Sequence, residues 1–125
     1  MNNKADIDIE IQTRFLPHES NPADDRYVFA YTITITNQGE VPVKLLSRYW
    51  HISDANEKTQ EIHGEGVVGQ QPHLQPGQSF QYTSGAVIET AVGTMQGNYQ
   101  LITDDGDLFN ADIPAFTLAD PAILH

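Results

Sequence analysis

Apolar and polar residues alternate along most of this chain with a period of two, the pattern of β-strands that bury one face. Ile7, Ile9 and Ile11 alternate with acids and a glutamine. In the stretch 27–36, Tyr, Phe and Ile side chains face one way, and threonines occupy most of the opposite positions, a composition typical of strands. No window shows the 3.6-residue period of an amphipathic helix. The pattern therefore predicts an all-β protein.

A second long strand is predicted over residues 43–54, with Leu46, Trp50 and Ile52 on its apolar side. Trp50 is the only tryptophan, and its large ring is predicted to fill the core. Segments bounded by Gly, Pro, Asn and Asp predict further strands at 59–63, 79–83, 95–101 and 108–118. About seven to nine strands are expected in all.

Many short strands separated by turn residues predict an antiparallel β-sandwich of the immunoglobulin or fibronectin type III kind, with a small barrel as the alternative. The chain lacks the Cys–Trp–Cys pattern of antibody domains, so this likeness is one of architecture. Its 125 residues show no internal repeat or linker. A chain of this length buries roughly two thirds of its unfolded surface. We expect a single domain over residues 1–125.

Acidic residues dominate the charge, since 17 Asp and Glu stand against six Lys and Arg, for a net charge of −11. This charge repels phosphate backbones and anionic lipid surfaces, so we expect no direct nucleic-acid or membrane contact. No apolar run approaches the roughly 18 residues that span a bilayer. The absence of cysteine excludes disulfides, thiolate zinc sites and thiol catalysis, and it fits a reducing compartment. We therefore expect a cytoplasmic protein.

The segment 64–69, Gly-Glu-Gly-Val-Val-Gly, matches the G-x-G-x-x-G pattern of dinucleotide-binding proteins. That chemistry needs a helix after the glycines, and the prolines at 72 and 76 exclude one. The segment is therefore a loop with two open interpretations. Its amides form a nest for phosphate or pyrophosphate, with Gly64, Gly66, Gly69 and Arg48 as ligand-binding residues, or its glycines only supply a wide turn.

A metal site is a separate hypothesis. His63 and Glu65 are two residues apart and share a face on a regular strand, and His51 is a third candidate ligand. Imidazole and carboxylate groups suit cobalt, nickel or zinc. The alternative is that these side chains are packed or solvated, as lone histidines on strands usually are. No serine lies in a G-x-S-x-G turn and no triad spacing is present, so we predict no catalytic residues and no enzyme.

The residues 82–88, followed by Ala91 and Val92, suggest a surface for protein binding if their apolar side chains lie outside the core. The alternative is that Val87 and Ile88 close one end of the sandwich. The edges of sandwich sheets also invite strand pairing between chains, so a homodimer is a further expectation.

Four strings in order are specific in combination: YTITITNQG at 31–39, LLSRYWHISDANEKTQEIHGEGVVGQQPHLQPGQSFQYTSG at 45–85, GTMQGNYQL at 93–101 and IPAFTL at 113–118. Together they span nearly the whole chain and resemble the ApaG family, also called CorD in bacteria. The chain departs from that family around Trp50. Tyr49 and His51 flank the tryptophan here, whereas relatives often have the sequence His-Trp-Ile-Ile.

The resemblance implies a fibronectin type III-like sandwich with no established catalytic residues. It also implies an association with divalent cation homeostasis, in the form of cobalt resistance and magnesium efflux. Related domains in eukaryotic F-box proteins and in a DNA polymerase δ-interacting protein look like partner-binding modules. We therefore predict a non-enzymatic module without a cofactor that acts through an unknown protein partner. The alternative is a small-molecule binder whose glycine loop takes phosphate, pyrophosphate or a nucleotide.

Overall fold

The computed structural model describes residues 5–123, and these form eight strands in two antiparallel sheets. The predicted all-β sandwich is confirmed. The strands are β1 Ile7–Phe15, β2 Tyr27–Asn37, β3 Val43–Asp54, β4 Thr59–Glu65, β5 His73–Leu74, β6 Ser79–Ile88, β7 Val92–Thr103 and β8 Leu108–Ala119. Short 3-10 turns occupy Pro17–Glu19, Pro22–Asp24 and Pro121–Ile123. None of the helical segments within residues 5–123 has the length and apolar character needed to cross a membrane.

Strand order explains which faces and edges are available to other molecules. One sheet has the order β1-β2-β6, and the other has the order β4-β3-β7-β8, with β5 pairing to the first residues of β3. β1 lies against β8 on one side of the sandwich. On the opposite side, β6 and β4 are therefore the edge strands of their sheets.

The core between the sheets is aromatic at its centre. Trp50 is 1% exposed, and its indole packs edge-on against Tyr31, with the ring centroids 5.2 Å apart. Tyr99 and Phe116 meet the same indole at steep angles, so Trp50 touches residues from both sheets. This confirms the predicted packing of Trp50 in the core. Its Nε1 is the one buried side-chain polar atom in the described chain that lacks a hydrogen-bond partner.

A β-bulge in β3 makes one detail of the predicted pattern wrong. Leu45, and not Leu46, is fully buried, because the pairing of β3 with β7 shifts between Leu45 and Ser47. An inserted residue of this kind reverses the alternation of faces along the strand. Leu45 therefore faces the core before the bulge, and Trp50 faces it after the bulge.

Candidate functional site

Arg48 lies beyond the bulge and shares the orientation of Trp50, two residues further on. Its Nη1 donates hydrogen bonds to the carbonyl oxygens of Glu65 (3.1 Å) and Gly66 (2.9 Å). Gly64 stands opposite Arg48 in the β3–β4 ladder, and a Cβ added there would lie 2.6 Å from the guanidinium. The structure thus brings Arg48 to the glycine segment, where its charge faces backbone carbonyl oxygens.

The glycine segment is a tight hairpin built on backbone geometry. Gly66, Val68 and Gly69 have φ values of 62°, 44° and 79°. Val67 and Gln70 exchange both backbone hydrogen bonds, at 2.8 and 2.9 Å. Positive φ at both central residues is the geometry of a two-residue type I′ turn. Val67 is fully buried and fixes the turn to the core.

Several groups that an anion nest needs are engaged inside this hairpin. The Gly66 amide donates to the Leu46 carbonyl at 2.8 Å, and the Val67 amide donates to Gln70. Gln71 Nε2 adds a second bond to the same Leu46 carbonyl, at 2.9 Å. The amides of Val68 and Gly69, at the tip, donate no backbone hydrogen bond and are open to an anion. Phosphate binding at Gly64, Gly66, Gly69 and Arg48 stays a prediction.

The three residues of the metal hypothesis lie together on the outer face of the five-stranded sheet. His63 pairs with Tyr49 across β3 and β4, and Glu65 pairs with Ser47, so the two share this face as expected. His51 is on the same face, opposite Glu61. Among residues 5–123, no group of three or more His, Asp or Glu side chains is placed to hold a metal ion. Cobalt, nickel or zinc binding here stays a prediction that calorimetry on tag-free protein tests.

Tyr49 stands at the centre of this outer face. Its ring packs against His63, with centroids 4.8 Å apart, and its hydroxyl donates to the Glu61 carboxylate at 3.1 Å. Partial loss of hydration, together with the bond to Glu61 and its negative charge, raises the pKa of Tyr49. The contacts with His63 and Glu61 therefore hold the Tyr49 ring and hydroxyl in one position.

Two clefts of about 470 and 530 Å³ flank Tyr49 and share Tyr49 and Asn98 as lining residues. We call this continuous surface the Tyr49 face. Apart from Arg48, which also lines the second cleft, its polar lining comes from alternate positions of β3, β4, β7 and β8: Ser47, Tyr49, His51, His63, Glu65, Gln96, Asn98, Gln100, Asn110 and Asp112. Such a surface offers amide donors and acceptors, carboxylates, two imidazoles and one phenol ring to a ligand.

The amides of the Tyr49 face are not used to hold the fold. Other glutamines donate to backbone or hydroxyl oxygens within the protein. In the part of the chain that the structure describes, the side-chain amides of Gln96, Asn98 and Gln100 make no such bond. Their hydrogen-bonding capacity is therefore available to a ligand.

Sequence reasoning identified His51, His63 and Glu65 but missed Tyr49 as the centre of the face, and it missed the amides of β7. A signal for the amides was present. Gln96, Asn98 and Gln100 alternate with Met95, Tyr99 and Leu101, which are fully buried. Regular alternation puts all three amides on one outer face. What the sequence does not show is that β3 lies beside β7 and aligns Tyr49 with Asn98.

Comparison with known proteins gives one consistent family. A family model described as the ApaG domain matches residues 17–103. A Protein ApaG of Dechloromonas aromatica is 56% identical over 123 residues, covering 98% of this chain and 97% of the relative. A Protein ApaG of Salmonella arizonae is 52% identical over 125 residues, and the match covers both chains completely.

Solved structures agree with these relatives. A crystal structure described as an ApaA protein of Bordetella pertussis superposes with a TM-score of 0.92 at 45% sequence identity. The superposition covers 94% of this chain and 95% of that chain. Sequence and fold therefore point to the same relationship. The chain belongs to the ApaG domain family.

Proposed function

We propose that this protein is a non-enzymatic binding module that recognises a protein partner through the Tyr49 face. The observation that carries the proposal is the pair of clefts that meet at Tyr49 and Asn98. Tyrosine is enriched among the residues that dominate binding energy in protein interfaces, and side-chain amides both donate and accept hydrogen bonds. The proposal includes a cytoplasmic location, which the cysteine-free sequence favours.

The partner is best sought with paired variants. The double variant Asn98→Ala/Gln100→Ala removes two amides that line the clefts, while Gln12→Ala removes an exposed glutamine of the other sheet. We expect wild type and Gln12→Ala to capture the same stoichiometric partner after cross-linking in cells, and the double variant to lose at least about 90% of it. Equal capture by all three proteins, or capture of no stoichiometric partner, contradicts the proposal.

The proposal also connects the Tyr49 face with divalent cation homeostasis. We expect the partner to act in cobalt and magnesium homeostasis, so disruption of the Tyr49 face should lower cobalt tolerance. A deletion strain complemented with each variant tests this link directly. Growth in cobalt should be restored by wild type and by Gln12→Ala, and not by the double variant. Full rescue by the double variant would separate cobalt tolerance from this surface.

The glycine hairpin supports a second candidate function, the binding of phosphate, pyrophosphate or a nucleotide. The observation in its favour is that the amides of Val68 and Gly69, at the tip of this turn, donate no backbone hydrogen bond, and turn amides of this kind can bind anions. Phosphate titration followed by amide NMR is the test. Shifts at Val68 and Gly69 support it, and unmoved signals for 64–69 at millimolar phosphate reject it.

A further inference from the structure

The outer edge of β6 differs from the other long sheet edges. β6 pairs with β2 over its whole length, and its sequence, Ser79–Ile88, contains no charged residue. The other long edge strands each carry charge. Asp8, Glu10 and Arg14 lie in β1, Glu61 and Glu65 lie in β4, and β8 combines Asp112 with a proline and a register shift. Charges, prolines and bulges are the features that prevent edge strands from pairing with other chains.

Two hydrogen bonds show which backbone groups of this strand face outward. The Asn37 amide donates to the carbonyl of Gln78, just before β6, so even-numbered residues direct their backbone groups toward β2. The Val87 carbonyl accepts from Gln60 of β4 and so faces the other way. Because the direction alternates along an antiparallel strand, the N–H and C=O groups of Ser79, Gln81, Thr83 and Gly85 face the open edge.

Contacts with the other sheet close the C-terminal end of this edge. Gln60 covers the Val87 carbonyl, and Lys58 of the β3–β4 turn forms an ion pair with Glu89 at 2.7 Å. The edge available to another strand is therefore residues 79–85. Each outward-facing residue in it is exposed.

We propose that residues 79–85 of β6 pair with the same segment of a second copy of this chain. The four outward-facing residues are symmetric about Tyr82. A two-fold axis beside Tyr82 therefore places Gln81 opposite Thr83 of the second copy, and Ser79 opposite Gly85 of the second copy. The two-fold axis repeats each of these two pairs, so four residue pairs form at once. The contact merges two three-stranded sheets into one six-stranded sheet.

The chemistry of the edge favours a second copy over a charged partner. β6 offers no charge with which to select a partner, while each copy carries a net charge of −11. Two copies therefore meet most easily where neither presents a carboxylate. Because the remaining surfaces repel each other, added salt should strengthen the dimer. A short strand contact gives a small interface, so we expect a weak dimer.

The experiment compares Thr83→Lys with Thr32→Lys by sedimentation over micromolar to millimolar protein concentrations. The Thr32 and Thr83 hydroxyls are bonded to each other at 2.8 Å, so both variants lose the same bond and gain the same charge on one sheet face. Only Thr83→Lys places a lysine beside the symmetry axis. We expect wild type and Thr32→Lys to dimerise alike, and Thr83→Lys to dimerise about two- to fivefold more weakly.

Amide NMR of the wild-type protein gives a second readout that does not depend on a variant. With rising concentration, the amides of Gln81, Thr83 and Gly85 should shift, while those of Tyr82 and Ser84, which face β2, should shift less. A wild type that stays monomeric at millimolar concentration and high salt overturns the proposal. Equal weakening by the two lysine variants also overturns it. Neither result bears on the Tyr49 face, which lies on the other sheet.

Discussion

Tyr82 and Tyr99 place two hydroxyl groups inside the core, where each is the hydrogen-bond partner of the other. Tyr82 comes from β6 and Tyr99 from β7, so this bond joins the two sheets. Arg48 and Tyr31 lie close enough to influence both hydroxyls electrostatically. A polar contact at this depth is costly to break, because a single remaining hydroxyl would be buried without its partner.

A double-mutant cycle measures this coupling. Tyr82→Phe and Tyr99→Phe should each lower the free energy of unfolding by about 1–3 kcal/mol, because each leaves one buried hydroxyl without its partner. The double variant leaves no such hydroxyl, so its loss should be smaller than the sum of the single losses. Urea denaturation of the four proteins provides the values. Strict additivity would show that the two hydroxyls are not energetically coupled.

The same pair predicts how stability depends on alkaline pH. Burial raises the pKa of Tyr82 and of Tyr99 above the ordinary value of 10.0 in the folded state. The folded protein therefore holds these protons more tightly than the unfolded chain does. Stability is complete below about pH 10 and falls as pH rises above it, since unfolding then releases protons.

Urea denaturation at a series of pH values from about 9 to about 11 checks this sign. The free energy of unfolding should decline steadily above about pH 10, and tyrosinate absorbance from the buried pair should appear only as the protein unfolds. The Tyr82→Phe/Tyr99→Phe variant is the matched control and should decline less steeply. Ionisation of Tyr82 and Tyr99 in a protein that keeps its fold would contradict the prediction.

At the scale of elements, the bulge in β3 organises the glycine hairpin. The Leu46 carbonyl accepts from Gly66 and from Gln71, and Arg48 caps two carbonyls of the same segment. The glycines thus serve the backbone in different ways. Gly64 leaves space for the Arg48 guanidinium, and Gly66 allows the close approach of the Gln70 carbonyl.

Alanine substitutions at Gly66 and Gly69 should separate close approach from backbone conformation. A Cβ at Gly66 would lie 2.2 Å from the Gln70 carbonyl oxygen, and φ there is 62°. A Cβ at Gly69 meets nothing within 4 Å, although φ is 79°. We expect Gly66→Ala to cost about 3 kcal/mol or more and Gly69→Ala to cost about 1–2 kcal/mol. Thermal and urea denaturation compare the two, and equal losses would contradict this account.

The alternation of residue types was enough to predict most strands, because period-two patterns in 7–15, 27–36 and 43–54 report directly which face is buried. It was wrong at Leu46, since a bulge shifts the pattern by one residue and leaves no mark in the composition. The inward direction of Arg48 follows from that same shift. The Tyr49 face depends on which strands become neighbours, and pairing between distant segments is not encoded in any local pattern.

At the scale of the whole molecule, unbalanced negative charge is the main electrostatic feature. The chain has 17 acids and six Lys and Arg residues. Within residues 5–123, the one ion pair of a lysine or arginine joins Lys58 to Glu89 and is exposed, and His73 forms an exposed hydrogen bond with Asp104. Exposed pairs contribute little to stability. Repulsion among the remaining carboxylates is therefore greater in the compact state than in the expanded unfolded chain.

Screening this repulsion should stabilise the fold. We expect the free energy of unfolding to rise by an amount on the order of 1 kcal/mol between low salt and about 0.5 M NaCl.

The variant Glu10→Lys/Asp105→Lys changes two exposed acids and reduces the net charge from −11 to −7. Its stability should be higher at low salt and should depend less on NaCl. Because general salt effects act alike on both proteins, the difference between their slopes isolates the charge term. Identical slopes would show that self-repulsion does not limit the stability of this sandwich.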